Sequence, residues 1–221
     1  MKPEQLYENY PYLYHIAWEG SWPNIRDKGL YSTKSLLELY GKSEDEIRTM
    51  TRTRRGHWIE IGSPGLPRAV IRDQKPISDN GLRRALPGNE KPSDWYALIN
   101  SMVFFWPTKQ RLKTIISARA YKMVKHDVLI VDTRKLVELE ESNIRLSHMN
   151  SGCTTPFAHK RDMSLFKTIE DYPFDRNKKE SGMKSDVAEV CVLDRVDRIR
   201  EVVVETKHGL AEDILMELGI E

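Results

Sequence analysis

The sequence is poor in cysteine, has no long apolar run and carries no glycine-rich phosphate loop, and each shortage removes a class of protein. Cys153 and Cys191 are the only cysteines in 221 residues. They stand in unrelated contexts, without a CxxC or a Cys/His cluster at zinc-ligand spacing, which argues against a disulfide framework and against a structural metal. No stretch approaches the roughly 20 consecutive apolar residues that span a bilayer. The opening MKPEQLYENY also lacks the apolar centre of a signal peptide, so a cytoplasmic chain with no membrane partner is expected. No GxGxxG occurs, so a doubly wound dinucleotide site and hydride transfer are not expected. His57, His126, His148, His159 and His208 show no metal-binding spacing and are read as structural or exposed.

What the chain does have is enough apolar content, 39% against 31% charged residues, to bury a core without staples. One compact α/β or α+β domain is the expectation. Its charge is uneven: 23 basic face 15 acidic residues up to position 135, and 12 face 18 beyond it. The densest basic patch is Arg48, Arg52, Arg54 and Arg55, followed by Arg68, Arg72, Arg83 and Arg84. Such clustering favours a polyanion or a phosphate-bearing ligand. The other reading is a solvated loop whose arginines pair with acidic groups.

Local pattern then orders the chain. Tyr12 to Ile16 predicts a strand carrying His15, and Ser21 is the expected N-cap of a helix reaching Lys28, with Pro23 in its first turn and Gly29 as its stop. The chain resumes at Leu30-Tyr31-Ser32-Thr33, which brings His15, Asn24, Tyr31 and Ser32 within reach of one another. Two packing helices follow, one over 35–40 and one capped by Ser43. Short strands are expected at 58–61 and 69–71, the second running into Arg72-Asp73-Gln74, and polar groups at a strand end commonly face a ligand. Helical turns are expected over 82–86 and from Pro92. A buried strand at 102–106, a helix from Thr108 to Tyr121 and a second buried strand at 127–132 come next, the last with alternate residues serving two layers. A helix to about Glu141, a strand at 144–146, a helix at 163–172, strands at 187–193 and 198–205, and an amphipathic helix over 211–218 complete the order. The polar loop MNSGCTTPFAHKRD either covers a pocket or is plain surface, and DRNKKESGMKSD is expected to be mobile.

Two residues are candidates for chemistry on local grounds. Glu189 sits among Val187, Ala188, Val190 and Cys191, where a carboxylate is costly unless it meets a cleft or a partner. Simple strand alternation places it on a solvated face instead. His15 in its aromatic strand is either a satisfied core residue or a ligand contact. Cys153 has no sequence feature tying it to a base.

Taken together, Tyr14-His15-Ile16, the helix ending DKGL, Tyr31-Ser32, the FFW strand and the late AEVCVLDRV strand resemble the ADP-ribosyltransferase superfamily, closest to its DarT-like branch. The chain is also similar to a bacterial family of uncharacterised proteins with YHIA, AVIRDQ, FFW and NSGCT blocks. The resemblance touches most of residues 13 to 196. It implies an α+β fold, a split β-sheet core with flanking helices, in a single domain spanning 1–221. It also implies NAD as co-substrate: His15 on the adenosine ribose, Tyr31 near the nicotinamide with Ser32 beside it, and Asn24 as a further polar contact. Glu189 would anchor the nicotinamide ribose and orient the acceptor. Arg72 is the candidate catalytic arginine, with Arg54 and Arg55 as alternatives.

These residue types suit the chemistry. Cleaving the bond between nicotinamide and ribose develops an oxocarbenium-like charge on the sugar. A carboxylate beside that charge stabilises the transition state more than the ground state. An arginine can neutralise a pyrophosphate, and aromatic faces such as Tyr31, Phe105 or Trp106 can stack on a heterocycle. The sequence therefore leads to the expectation of an ADP-ribosyltransferase, a glycosyltransferase acting on a nucleic acid in preference to a protein, as a toxin or antiphage effector with an antitoxin or immunity protein as partner. The alternatives are a non-catalytic module binding NAD or a nucleotide, and a nucleic-acid-binding or protein-interaction protein.

Overall fold

A computed structural model describes residues 1–173 and 187–220 as a mixed α+β fold with several small antiparallel sheets. The run DRNKKESGMKSD, expected to be mobile, lies outside the described residues. One sheet places β6 (His126–Asp132) between β1 (Tyr12–Trp18) and β10 (Val203–Gly209). A second places β8 (Glu189–Leu193) between β5 (Met102–Phe105) and β7 (Ile144–Ser147). A hairpin joins β3 (Ile59–Ser63) to β4 (Leu66–Ile71), and the two-residue strands β2 (Leu30–Tyr31) and β9 (Arg195–Val196) pair with each other.

Both inner strands are buried because they are covered on two faces. Along β6, Val128 and Ile130 pack with Leu112 and Ile116 of α7 (Lys109–Ile116) and with Ile214 and Leu215 of α10 (Ala211–Glu217). Val131 points the other way, into a core with Leu13, Val190 and Leu136 of α8 (Thr133–Glu140). The alternate members do serve two layers. Each fully buried Leu, Ile or Val contributes roughly 1.5–3 kcal/mol, so this two-sided strand fixes the molecule. The remaining helices are α1 (Pro3–Asn9), α2 (Trp22–Lys28), α3 (Thr33–Leu39), α4 (Glu44–Arg52), α5 (Asp79–Ala85), α6 (Pro92–Ile99) and α9 (Ile199–Val202). Among the described residues no helix is long and apolar enough to cross a membrane.

Several local expectations change in three dimensions. Ser21 occupies the N-cap position of α2, but its side chain makes no cap bond. Buried Asp127 does that work from β6, accepting from Gly20 N at 3.1 Å and Trp22 N at 2.8 Å. The helix expected to reach Tyr121 stops at Ile116 and gives way to turns. The segment 163–172 is not helical: Lys167 pairs instead with Leu146 of β7, and Ile169 and Tyr172 enter the core. Residues 199–202 form a turn of helix before β10 begins at Val203, in place of a strand from 198. By contrast Ser43 is the expected N-cap of α4, and it forms a capping box with Glu46.

Candidate functional site

The site begins where the two three-stranded sheets part. Tyr14 of β1 and Trp106, just after β5, exchange both backbone hydrogen bonds, at 2.9 and 2.8 Å. In an antiparallel ladder the next such pair would be Ile16 with Phe104, two residues further along each strand. That rung is not made. The Phe104 carbonyl oxygen accepts from His15 Nδ1 at 2.9 Å, and the Ile16 carbonyl oxygen accepts from Arg72 Nη1 at 3.3 Å. Two side chains thus satisfy the acceptors the sheet leaves behind, as buried backbone groups require. Between the diverging strands lie two adjoining cavities of about 240 and 260 Å³, whose linings share Ile16, Thr33, Arg72, Met102 and Phe104.

His15, Asn24, Tyr31 and Ser32 all line the first cavity. Burial lowers the His15 pKa to about 4, with the nearby Arg72 charge adding to the shift, so the ring is neutral at physiological pH. Since Nδ1 faces a carbonyl it carries the proton, and Nε2 is left as an acceptor, suited to a hydroxyl. Asn24 donates to the Tyr40 hydroxyl at 3.1 Å, which in turn donates to the Pro67 carbonyl at 2.6 Å, tying α2 to β4. Ser32 is buried and caps α3, accepting from Ser35 N at 3.2 Å, so its hydroxyl has a structural task as well as a place in the wall. Tyr31 lies opposite Arg195 in the β2–β9 pair, with the guanidinium carbon 5.9 Å from its ring centre. Gly29 permits this approach: its φ is +106°, and a Cβ there would stand 3.2 Å from Asp197 Cα and from the Tyr31 ring.

Glu189 lines the second cavity and is 3% exposed, so the alternation that predicts a solvated face fails. The reason is the position of β8 between β5 and β7, with Val190, Cys191 and Val192 all buried. Both Glu189 carboxylate oxygens accept from the Ser151 backbone N–H, each at 3.1 Å. Burial raises its pKa to about 7, while the bonds from Ser151 and the charges of Arg111 and Arg161 pull the other way. The loop MNSGCTTPFAHKRD supplies Asn150, Ser151 and Gly152 to this wall and is not plain surface. Trp106, on the same wall, has a buried Nε1 donor with no partner among the described residues.

Arg72 stands in the wall common to both cavities, with its guanidinium carbon 5.1 Å from the centre of the Tyr121 ring. The Tyr121 hydroxyl donates to Asp73 Oδ1 at 2.7 Å, fixing this platform. The alternative arginines are committed elsewhere. Arg54 donates to the carbonyls of Ile77 and Lys75. Arg55, also on the second cavity, is 7% exposed and donates from each guanidinium nitrogen: to the carbonyls of Arg72 and Met50 and to Asn100 Oδ1. Burial brings its pKa down to about 10.

Four more arginines of the basic patch are likewise partnered internally. Arg48 pairs with Asp45, Arg52 with Asp94, Arg68 with Glu60 and Arg83 with Asp79. These are exposed pairs, each of small energetic weight. Cys153 donates to the Thr155 carbonyl at 3.1 Å. No group of three His, Cys, Asp or Glu side chains among the described residues could hold a metal ion.

Sequence reasoning missed Ser151 and Arg161, which brace Glu189 through backbone contacts that leave no motif. It also missed Tyr121 and Asn100, which look like ordinary helix and loop residues. The one available signal was the unusual polarity of the loop holding Ser151 and Arg161.

A mixed α+β protein with a two-chambered cleft at a sheet split, closed by a buried glutamate, is the class these features define. The chain belongs to the family of unknown function DUF7002, whose profile matches residues 11–203, a span that includes all six candidate residues. A search of the curated proteins finds no match.

Proposed function

We propose that the protein is an ADP-ribosyltransferase, built on a split β-sheet of that kind, which moves ADP-ribose from NAD to a macromolecular acceptor. The observation that carries this reading is the wall the two cavities share: neutral His15 lines one chamber, buried Glu189 lines the other, and Arg72 lines both. Nucleotide chemistry fits the donor set. The bare Nε2 of His15 suits a ribose hydroxyl, and Arg72, with only one guanidinium bond among the described residues, has donors left for a pyrophosphate. In the reaction the glycosidic C–N bond breaks, nicotinamide leaves with the bonding pair, and an acceptor nucleophile bonds to the ribose carbon while releasing its proton. Glu189, once ionised, stabilises the positive sugar and holds its hydroxyl.

The acceptor is read as nucleic acid because of the basic N-terminal part of the chain. That weight falls on Lys28 and Arg72, which line the first cavity, since Arg68 and the arginines of the Arg48 to Arg55 patch are bonded internally. Incubation of the purified protein with labelled NAD and separate pools of DNA, RNA and protein tests the reading. Label transfer abolished in Glu189→Ala supports it. NAD binding without transfer to any pool points to a non-catalytic module, and failure to bind NAD at all overturns the assignment.

A further inference from the structure

The loop that follows β7 is held by one buried guanidinium. Arg161 is 4% exposed, and it donates from Nη1 to the Ser151 carbonyl at 2.9 Å, from Nη2 to the Cys153 carbonyl at 2.8 Å and from Nε to the His159 carbonyl at 3.1 Å. Its own backbone N–H reaches the Ala85 carbonyl at 3.1 Å, and its guanidinium carbon lies 5.6 Å from the Trp95 ring centre. No carboxylate bonds to it among the described residues. A buried cation spent on three carbonyls of one loop is an expensive arrangement, and it organises the backbone around a fixed charge.

The loop so held ends on Glu189. The Ser151 backbone is gripped at both of its polar groups: its carbonyl accepts from Arg161 and, at 3.2 Å, from Trp95 Nε1, while its N–H donates to both Glu189 oxygens. Further along, Thr154 N donates to the Pro76 carbonyl at 3.0 Å and Ser78 N to Thr154 Oγ1 at 2.9 Å. The same loop is therefore fastened to the segment that leaves Arg72, and it sets the two cavity-lining charges relative to each other.

We infer that Arg161 is a positioning residue for Glu189, acting through the Ser151 backbone to hold the carboxylate in the cleft. The inference rests on the transferase reading only for its effect on turnover. The groups facing Glu189 that bear on its titration are Ser151 and Arg161 from the loop, Arg111 from α7, and Cys191 on the same strand. With burial opposing ionisation, removing a cation from this set pushes the carboxyl further toward its neutral form.

The test is a pH titration followed by NMR, reading the Glu189 side-chain carboxyl carbon and the Ser151 amide together, in the wild type, Arg161→Met and Arg161→Lys, with Glu189→Gln to assign the signal. In the wild type the two signals are expected to share one midpoint. In Arg161→Met the carboxyl midpoint rises by about one unit, and the Ser151 amide ceases to follow it. Arg161→Lys keeps the charge and loses the planar fork, so the midpoint stays near the wild-type value while the amide response weakens. This variant also carries the test if the methionine protein fails to fold. Turnover of NAD at neutral pH falls by about 10²-fold in Arg161→Met and recovers in part as pH is raised, a recovery that a purely structural defect would not give. A folded Arg161→Met protein with an unchanged midpoint and an unchanged Ser151 response overturns the inference. A wild type that titrates as described but transfers nothing from NAD overturns the transferase reading and leaves the hold of Arg161 on Glu189 standing.

Discussion

Arg72 Nη1 donates to the Ile16 carbonyl at 3.3 Å, at the place where a β5 amide would donate if the two sheets stayed zipped. A guanidinium thus stands in for a missing ladder bond and lines the resulting cleft. Its exchange for lysine keeps one charge but loses the fork. Turnover of NAD in Arg72→Lys is expected to fall by about 10²-fold with a smaller change in NAD affinity, measured by steady-state kinetics beside calorimetric titration. Arg55→Ala should act differently, lowering stability by about 3–5 kcal/mol through the loss of its three bonds to the Arg72 and Met50 carbonyls and Asn100 Oδ1, read by chemical denaturation.

The burial of Glu189 has a sign that can be checked. Its folded pKa, about 7, lies above the ordinary carboxylate value of 4.5, so the folded state holds the proton more tightly than the unfolded chain. Stability contributed by this site is present below pH 4.5 and is lost as pH rises through 7. Glu189→Gln should therefore be more stable than the wild type by about 2–3 kcal/mol at pH 8 and nearly equal to it at pH 4. Urea denaturation at the two pH values measures this, and equal differences at both would contradict the burial argument. In the wild type, transfer should rise with pH to a plateau as Glu189 ionises through about 7.

His15 titrates far from this range, at about 4. In the Glu189→Gln background NAD affinity should be flat between pH 5.5 and 8. His15→Ala should weaken binding about tenfold, the worth of one hydrogen bond near 1.4 kcal/mol. It should also cost about 1–3 kcal/mol of stability, because the Phe104 carbonyl loses its donor. Calorimetry and thermal melting separate the two effects.

Gly81 offers a test of the loop that carries Ser151. A Cβ at this position would stand 2.5 Å from both Cβ and Oγ1 of Thr154, whose hydroxyl accepts from Ser78 N. Gly81→Ala should destabilise by about 1–3 kcal/mol through overpacking and should shift the Ser151 amide resonance, whereas Gly62→Ala, where a Cβ meets nothing within 4 Å, should leave that resonance alone.

Much of the fold could be read from apolar runs. β6 and β5 are short, strongly hydrophobic segments with no competing pattern, and the capping box at Ser43 is complete within four residues. The failures have a common cause in partners far along the chain. Asp127 caps α2 from more than a hundred residues away, so the weak local cap at Ser21 looked sufficient. The stretch 163–172 has helical spacing, but backbone pairing of Lys167 with Leu146 decides its course. For the site, His15, Asn24, Tyr31, Ser32, Arg72 and Glu189 all line the two cavities, though Ser32 and Asn24 also have structural bonds. Arg161 was illegible because its partners are carbonyl oxygens, which every residue possesses.

Among the described residues the two sheets share one rung, Tyr14–Trp106, and this bears on how such a protein can diversify. Each sheet keeps its own ladder, and Leu13, Val131 and Val190 of the core they share lie outside both cavity linings. Substitutions along Lys28, Ala69, Val70 or Asn150 can change what fits without asking the strands to re-register. A frame held apart from its lining is an arrangement in which new ligand preferences can arise one side chain at a time.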